Sequence, residues 1–237
     1  MKPYFLLIIL NSGINIFSFS QEKFTPEQVT DKKYGINKYD KLNHRIGGDS
    51  TRNCNGYACD GWFSDFYTNG ATLHKGYYVE GQLKIYQNFF SNGQMEREFK
   101  IVDDYKCAMT IYYKDGKIKS GIKYSDGNPV KWEDFYPNGN PEYYEEYDKK
   151  GHYVAQKSFS ENGQPQETLE LVNKKKLQYS KKEYFENGKI KSEGETVYNE
   201  DLLDYQQSGK WLYYDENGKL VKEETYVGGK VNEEKNY

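Results

Sequence analysis

Seven times between residues 66 and 220 the chain reads an aromatic, a short polar spacer, then Asn-Gly or Asp-Gly. The glycines are Gly70, Gly93, Gly116, Gly139, Gly163, Gly188 and Gly218, spaced 23, 23, 23, 24, 25 and 30 residues apart. Self-similarity at a period of about 20 to 50 residues marks a repeat architecture. Several positions recur together. Four residues before the glycine stand Phe66, Phe89, Tyr112, Phe135, Phe159, Tyr184 and Tyr214. Three before it stand Tyr67, Phe90, Tyr113, Tyr136 and Phe185, with Ser160 and Asp215 as exceptions. Eight after it stand Tyr78, Ile101, Tyr124, Tyr147, Leu171, Thr196 and Tyr226.

This spacing reads as a hairpin. Asn-Gly and Asp-Gly suit the positive φ angles of a type I′ turn, and the flanking aromatic and β-branched residues favour strands. Positions two and eight after the glycine share one face, which is the expected core. A second turn signal follows about eleven residues on, as Glu80-Gly81, Asp126-Gly127, Lys150-Gly151 and Gly228-Gly229. The expectation is an all-β chain of tandem antiparallel hairpins, forming an elongated, twisted meander sheet of about fourteen strands across residues 61–237. The longer spacers between Gly139 and Gly218 predict a bulge or kink there.

Residues 1–20 stand apart. Lys2 precedes the apolar run Tyr4 to Leu10, a weaker run ends at Phe19, and small residues Ser18 and Ser20 precede Gln21. This predicts a secretory signal peptide cleaved after Ser20, since the uninterrupted apolar core is too short to span a bilayer. Residues 21–60 read as an N-terminal cap, because terminal repeats of such arrays need one. Within it, Thr25 and Pro26 predict the start of a short helix, and Ile46 to Ser50 a loop. Cys54 and Cys59 fit a local disulfide in an exported protein; metal binding lacks two further ligands at a sensible spacing. Cys107 is left over, in an apolar context.

Only 36% of residues are hydrophobic and 29% are charged, yet 17% are aromatic, 25 of them Tyr. Amphipathic tyrosines can fill a thin core while their hydroxyls reach water, so disorder is not the reading. The formal charge of -3, without a general basic footprint, argues against nucleic acid and disfavours an anionic membrane. The dense basic stretches, Lys174 to Lys176 and Lys181-Lys182, read as a solvated face or edge protection. His44, His74 and His152 stand apart from Cys and from one another, with His74 expected to face solvent. No zinc or nucleophile motif is present, so no catalytic residue, metal or cofactor is expected.

The segments Gly209 to Leu220 and Tyr184 to Lys191 resemble the variant form of the MORN repeat, which also builds the YwqK-family antitoxins of bacteria. The resemblance covers about residues 61 to 230. It implies a hairpin-repeat sheet and a role in binding other molecules, and no catalytic residues.

Function is therefore expected to lie in binding. The leading expectation is an exported, non-enzymatic envelope protein with an unidentified protein partner, contacted through Tyr67, Phe90, Tyr113, Trp132, Tyr136, Phe185 and Trp211. The competing expectation is that this face is merely core. Toxin neutralisation by direct binding and glycan or cell-wall binding are the alternatives.

Overall fold

The structure, a computed structural model, describes residues 23–30, 42–43, 47–48, 52–103 and 105–237. The expected leader at 1–20, and His44, lie outside the described residues. Seven hairpins turn at the seven repeat glycines. They pair β6 (Gly61–Tyr67) with β7 (Thr72–Val79), β8 (Gln82–Phe89) with β9 (Met95–Asp103), and β10 (Lys106–Tyr112) with β11 (Ile118–Ser125). Next come β12 (Asn128–Phe135) with β13 (Pro141–Tyr147), and β14 (Tyr153–Phe159) with β15 (Pro165–Asn173). The last are β16 (Gln178–Tyr184) with β17 (Ile190–Asn199), and β18 (Asp204–Tyr214) with β19 (Leu220–Val227), followed by β20 (Lys230–Asn236). Before them lie β1 (Lys23–Phe24), α1 (Pro26–Thr30), β2 (Leu42–Asn43), β3 (Gly47–Gly48), β4 (Asn53–Cys54) and β5 (Tyr57–Ala58). Strands β6 to β20 run antiparallel in sequence order, and β1 joins the β6 edge in parallel to make sixteen.

Five details differ from the sequence expectation or refine it. The Asn-Gly turns are not type I′. Only their glycines have positive φ, +79° to +94°. Each closes by a pair of bonds such as Gly70 N–H to Tyr67 O and Tyr67 N–H to Ala71 O, the three-residue type I turn with a glycine bulge. The Asn serves through its side chain instead: Asn69, Asn92, Asn138, Asn162 and Asn187 each accept from the backbone N–H two residues on. True two-residue turns with both φ values positive occur at Glu80-Gly81, Asp126-Gly127 and Gly228-Gly229. Gly47 and Gly48 form strand β3, paired with β2, rather than lying in a loop. Thr25 and Gln28 exchange the reciprocal bonds of a capping box, which starts α1.

Strand pairing sorts the side chains into rows across the sheet. Directly paired residues share a face, and positions seven before and six after each glycine pair with one another: Phe63 with Gly76, Met109 with Ile122, Trp132 with Glu145, Trp211 with Glu224. These stand on the same side as Tyr78, Tyr124 and Tyr147, eight after. The expected core face and the expected contact face are thus one face, called here the inner face.

On β6 to β11 that face is a packed core. Tyr78, Leu83, Tyr86, Phe99, Met109 and Ile122 are buried, with Phe63, Ile101, Cys107 and Trp132 packed against them. Cover comes from the N-terminal segment. The Cys54–Cys59 disulfide is formed and closes the β4–β5 hairpin. Arg52 lies over the Phe63 and Tyr78 rings at 5.3 and 5.2 Å and pairs with Asp65. Gly81 N–H donates to Cys59 O, tying the hairpin to the sheet. His74, expected in solvent, is fully buried under this cover, because position four after the glycine also points inward. It bonds Asn88 at 2.8 Å and Tyr78 at 3.1 Å, and burial lowers its pKa to about 4. The free Cys107 is half-buried, and that burial pushes its thiol up.

The long spacers take the form of an extended β17–β18 hairpin, with a bulge where Glu193 and Glu195 face Leu212 and Ser208. Tyr153 on β14 and Tyr205 on β18 are four strands apart, about 19 Å at 4.8 Å per strand. Their ring centroids nevertheless approach to 6.4 Å. The sheet therefore curls, and the hairpin leans over the inner face onto Tyr179, which is fully buried. At its base Trp211 is buried against Gly194, where an added Cβ would fall 2.4 Å from the indole.

Candidate functional site

Between the N-terminal cover and the leaning hairpin, no segment among the described residues lies over the inner face. No residue of β12, β13 or β14 is buried. Register places Trp132, Asp134, Tyr143, Glu145, Tyr147, Tyr153, Gln156 and Ser158 together on this side, continuing into Glu167, Lys181 and Glu183 on β15 and β16.

The local chemistry follows from this clustering. Asp134 accepts from the Trp132 indole at 2.8 Å and from Ser120. Glu145 accepts from the Tyr143 hydroxyl at 2.8 Å, and Gln156 donates to that hydroxyl at 2.7 Å. Tyr147 and Tyr153 stack with centroids 4.8 Å apart. Desolvation, reinforced by hydrogen bonds with Tyr153 and Glu145, raises the pKa of Tyr147. Desolvation is also the main cause of the upward shift at Tyr143. Both phenols are hydrogen-bond donors at neutral pH. Under the β17–β18 hairpin the strip ends in a groove of about 440 Å³ lined by Lys181, Glu183, Thr196, Asp204 and Trp211, among others. Thr196 Oγ1 is buried there without a hydrogen-bond partner.

The seven contact candidates from the sequence divide. Trp132 stands in the strip. Tyr67 and Trp211 are buried. Phe90, Tyr113, Tyr136 and Phe185 are half-buried at the turn end of the sheet. The tyrosines there hold neighbouring repeats together: Tyr67, Tyr113 and Tyr136 donate to the carbonyls of Phe89, Phe135 and Phe159 in the next copy. Asn69, Asn138 and Asn187 do the same one row further out. The sequence reading missed Tyr143, Glu145 and Tyr153 as face members. Pairing position minus seven with plus six across the turn would have found the first two.

The dense lysines do not form one patch. Lys181 faces inward beside Glu167 at 3.2 Å, Lys182 faces outward beside Glu193 at 3.0 Å, and Lys174 reaches Asp148 at 3.0 Å. His152, near Asp148 and Glu200, belongs to the link that anchors the leaning hairpin.

A long sheet built from tandem antiparallel hairpins defines a hairpin-repeat protein. Residues 130–149, 180–198 and 207–227, three of the hairpin segments, match the family model described as MORN repeat variant. No curated protein matches the chain. Among solved structures, S. aureus TarM in complex with Fondaparinux, alpha-GlcNAc-glycerol and UDP is similar at 22% identity and a TM-score of 0.27, over 38% of this chain and 18% of that one. A second TarM crystal structure gives 22% and 0.27, over 40% and 19%. The chain thus spans about a fifth of TarM's length, and at that score the similarity bears on neither fold nor function.

Proposed function

We propose that this is an exported, non-enzymatic repeat protein that binds a protein partner through the inner face of β12 to β16. One observation carries the reading. Trp132, Tyr143, Tyr147 and Tyr153 are only partly buried, on a face that the same chain buries fully at both ends. A contiguous aromatic surface of this kind favours a contact site, and Tyr and Trp supply contact area at low entropic cost. Export rests on the leader-like residues 1–20 and agrees with the Cys54–Cys59 bond. Antitoxin action of the YwqK kind is a special case in which the docked partner is a toxin; a cleaved leader would argue against it. Glycan stacking on the same rings is the competing occupant.

The test uses the full chain in its own cells. A photo-crosslinking amino acid replaces Trp132 in one version and the exposed outer-face Trp62 in another, and the mature N-terminus is sequenced after fractionation. The expected result is one protein adduct from position 132, none from position 62, and a mature chain beginning at Gln21. Equal adducts from both positions, or none from 132, would overturn the binding half. An intact Met1 in the cytosolic fraction would overturn the export half.

A further inference from the structure

Resting on that reading, we infer that the partner inserts a lysine or arginine side chain between Trp132, Tyr143, Glu145 and Tyr147. The seventh repeat already shows the arrangement with a cation in it. There Trp211 pairs across the turn with Glu224, two residues before Tyr226. Lys222, four after the glycine, places its ammonium 2.8 Å from Glu224 Oε1 and 4.4 Å from the Tyr213 ring centroid. Tyr226 donates to the other Glu224 oxygen at 2.7 Å. The result is a charge-assisted pair beside aromatic faces.

The fourth repeat has the same frame. Trp132 pairs with Glu145, and Tyr147 stands two residues on. Position four after the glycine is Tyr143 instead of a lysine. Among the described residues no lysine or arginine pairs with Glu145, whose carboxylate is held by tyrosine hydroxyls. The fourth repeat thus keeps the carboxylate with the Trp and Tyr beside it; the Tyr213 ring that meets the ammonium in the seventh is replaced by a second carboxylate, Asp134, and position four after the glycine supplies no ammonium.

Charge sorting across β12 to β16 favours the same partner. On the outer face Lys131, Lys157 and Lys182 are each paired, with Glu133, Glu170 and Glu193. The inner face carries four carboxylates, Asp134, Glu145, Glu167 and Glu183, against the single ammonium of Lys181. A formal excess of negative charge on one side of a sheet steers and orients a cationic segment. Five strands span about 19 Å, which an extended segment of about six residues would cross.

The probe is a fluorescein-labelled peptide of about eight residues, alternating arginine and serine, titrated against the full chain at low and at physiological salt. A glutamine-serine peptide is its neutral counterpart. The arginine peptide should bind, with affinity falling as salt rises, and the neutral one should bind at least about tenfold more weakly. Glu145→Gln should weaken the arginine peptide about tenfold. Glu146→Gln, on the outer face, should leave it unchanged. Tyr143→Lys places an internal ammonium at the position of Lys222, beside Asp134 and Glu145, and should abolish binding from within. Circular dichroism of each variant confirms the sheet is retained. Equal binding of the neutral peptide, equal loss in Glu146→Gln, or full binding by Tyr143→Lys overturns the inference. The cross-link at position 132 does not depend on these outcomes, so the binding reading stands or falls separately.

Discussion

The first three hairpins and the next two share a turn geometry and a register, yet their inner faces end differently. On β6 to β11 the rows hold Phe63, Tyr86, Phe99, Met109 and Ile122, and at the β6–β7 end Arg52, next to the disulfide hairpin, lies over Phe63 and Tyr78. On β12 to β14 the same rows hold Trp132, Glu145 and Gln156, and no residue is buried. A one-layer sheet cannot bury a face by itself. Whether a ring becomes core or surface therefore depends on what segment folds over it. Glu145 occupies the row that holds Phe99 and Ile122 in the packed hairpins, and Gln156 the row that holds Tyr86 and Met109.

The largest expected effect separates the two regions by stability. Tyr86→Ala, at a fully buried ring, should cost about 3–5 kcal/mol. Trp132→Ala, at a ring only partly buried, should cost less, about 2 kcal/mol. Urea unfolding followed by hydrogen exchange reads both. Because the array is quasi-one-dimensional, the Tyr86 loss should appear in β6 to β11 and leave β17 to β19 protected. Similar costs at the two positions would break the contrast.

Acid should distinguish the same regions. His74 has a folded pKa lowered by burial from 6.5 to about 4, so the unfolded chain binds the extra proton between those values. Stability of the N-terminal unit is then full above about pH 6.5 and falls as pH drops toward 4, by up to about 3 kcal/mol. His74→Gln should flatten that slope. In the seventh repeat Glu224 is lowered to about 2, first by Lys222 and then by Tyr226. Its contribution is present above pH 4.5 and is lost only as pH falls from there toward 2. Hydrogen exchange at pH 5 should accordingly loosen β7 and β8 before β18 and β19.

The disulfide sharpens the contrast further. Cys54 and Cys59 close a short loop, so replacing both by Ser should cost about 2 kcal/mol by loop-closure entropy. That loss should be confined to the cover and to the strands beneath it. If exchange at Trp132 and its neighbours rose equally, the cover would extend further along the sheet than the packing of Arg52 indicates.

Much of this architecture was legible in the sequence. Seven hairpins, their order and their turn glycines follow from Asn-Gly spacing, because a left-handed backbone position has few residue choices. The disulfide was legible from two cysteines five residues apart. The turn type was not, since Asn supports both a positive φ and a side-chain bond to the next turn, and only geometry tells which one it uses. The identity of the inner face was missed because it depends on cross-strand register, set by bulges at each turn such as that between Asp134 and Phe135. His74 was misplaced for a related reason: it lies on the inner face, packed among Tyr78, Tyr86 and Asn88. The open strip at Tyr143 and Glu145 became visible only once the covered regions were known.

The smallest effect concerns the tyrosines three before the glycine, and it decides whether they are contact residues or fastenings. Tyr136 donates to Phe159 O at 2.8 Å, joining the fourth repeat to the fifth. Phe90 and Phe185 occupy the same position without a hydroxyl, so the fold accepts the loss. Tyr136→Phe should therefore cost about 0.5–1.5 kcal/mol, one ordinary hydrogen bond. It should leave capture at position 132 unchanged. The reverse substitution, Phe90→Tyr, brings a hydroxyl to the row where Tyr67 and Tyr113 already donate, and should gain no more than the same amount. If Tyr136→Phe instead left stability unchanged and weakened partner capture, the turn-end row would belong to the binding face, and the line between fastening and contact would move out from Trp132 to the glycine turns.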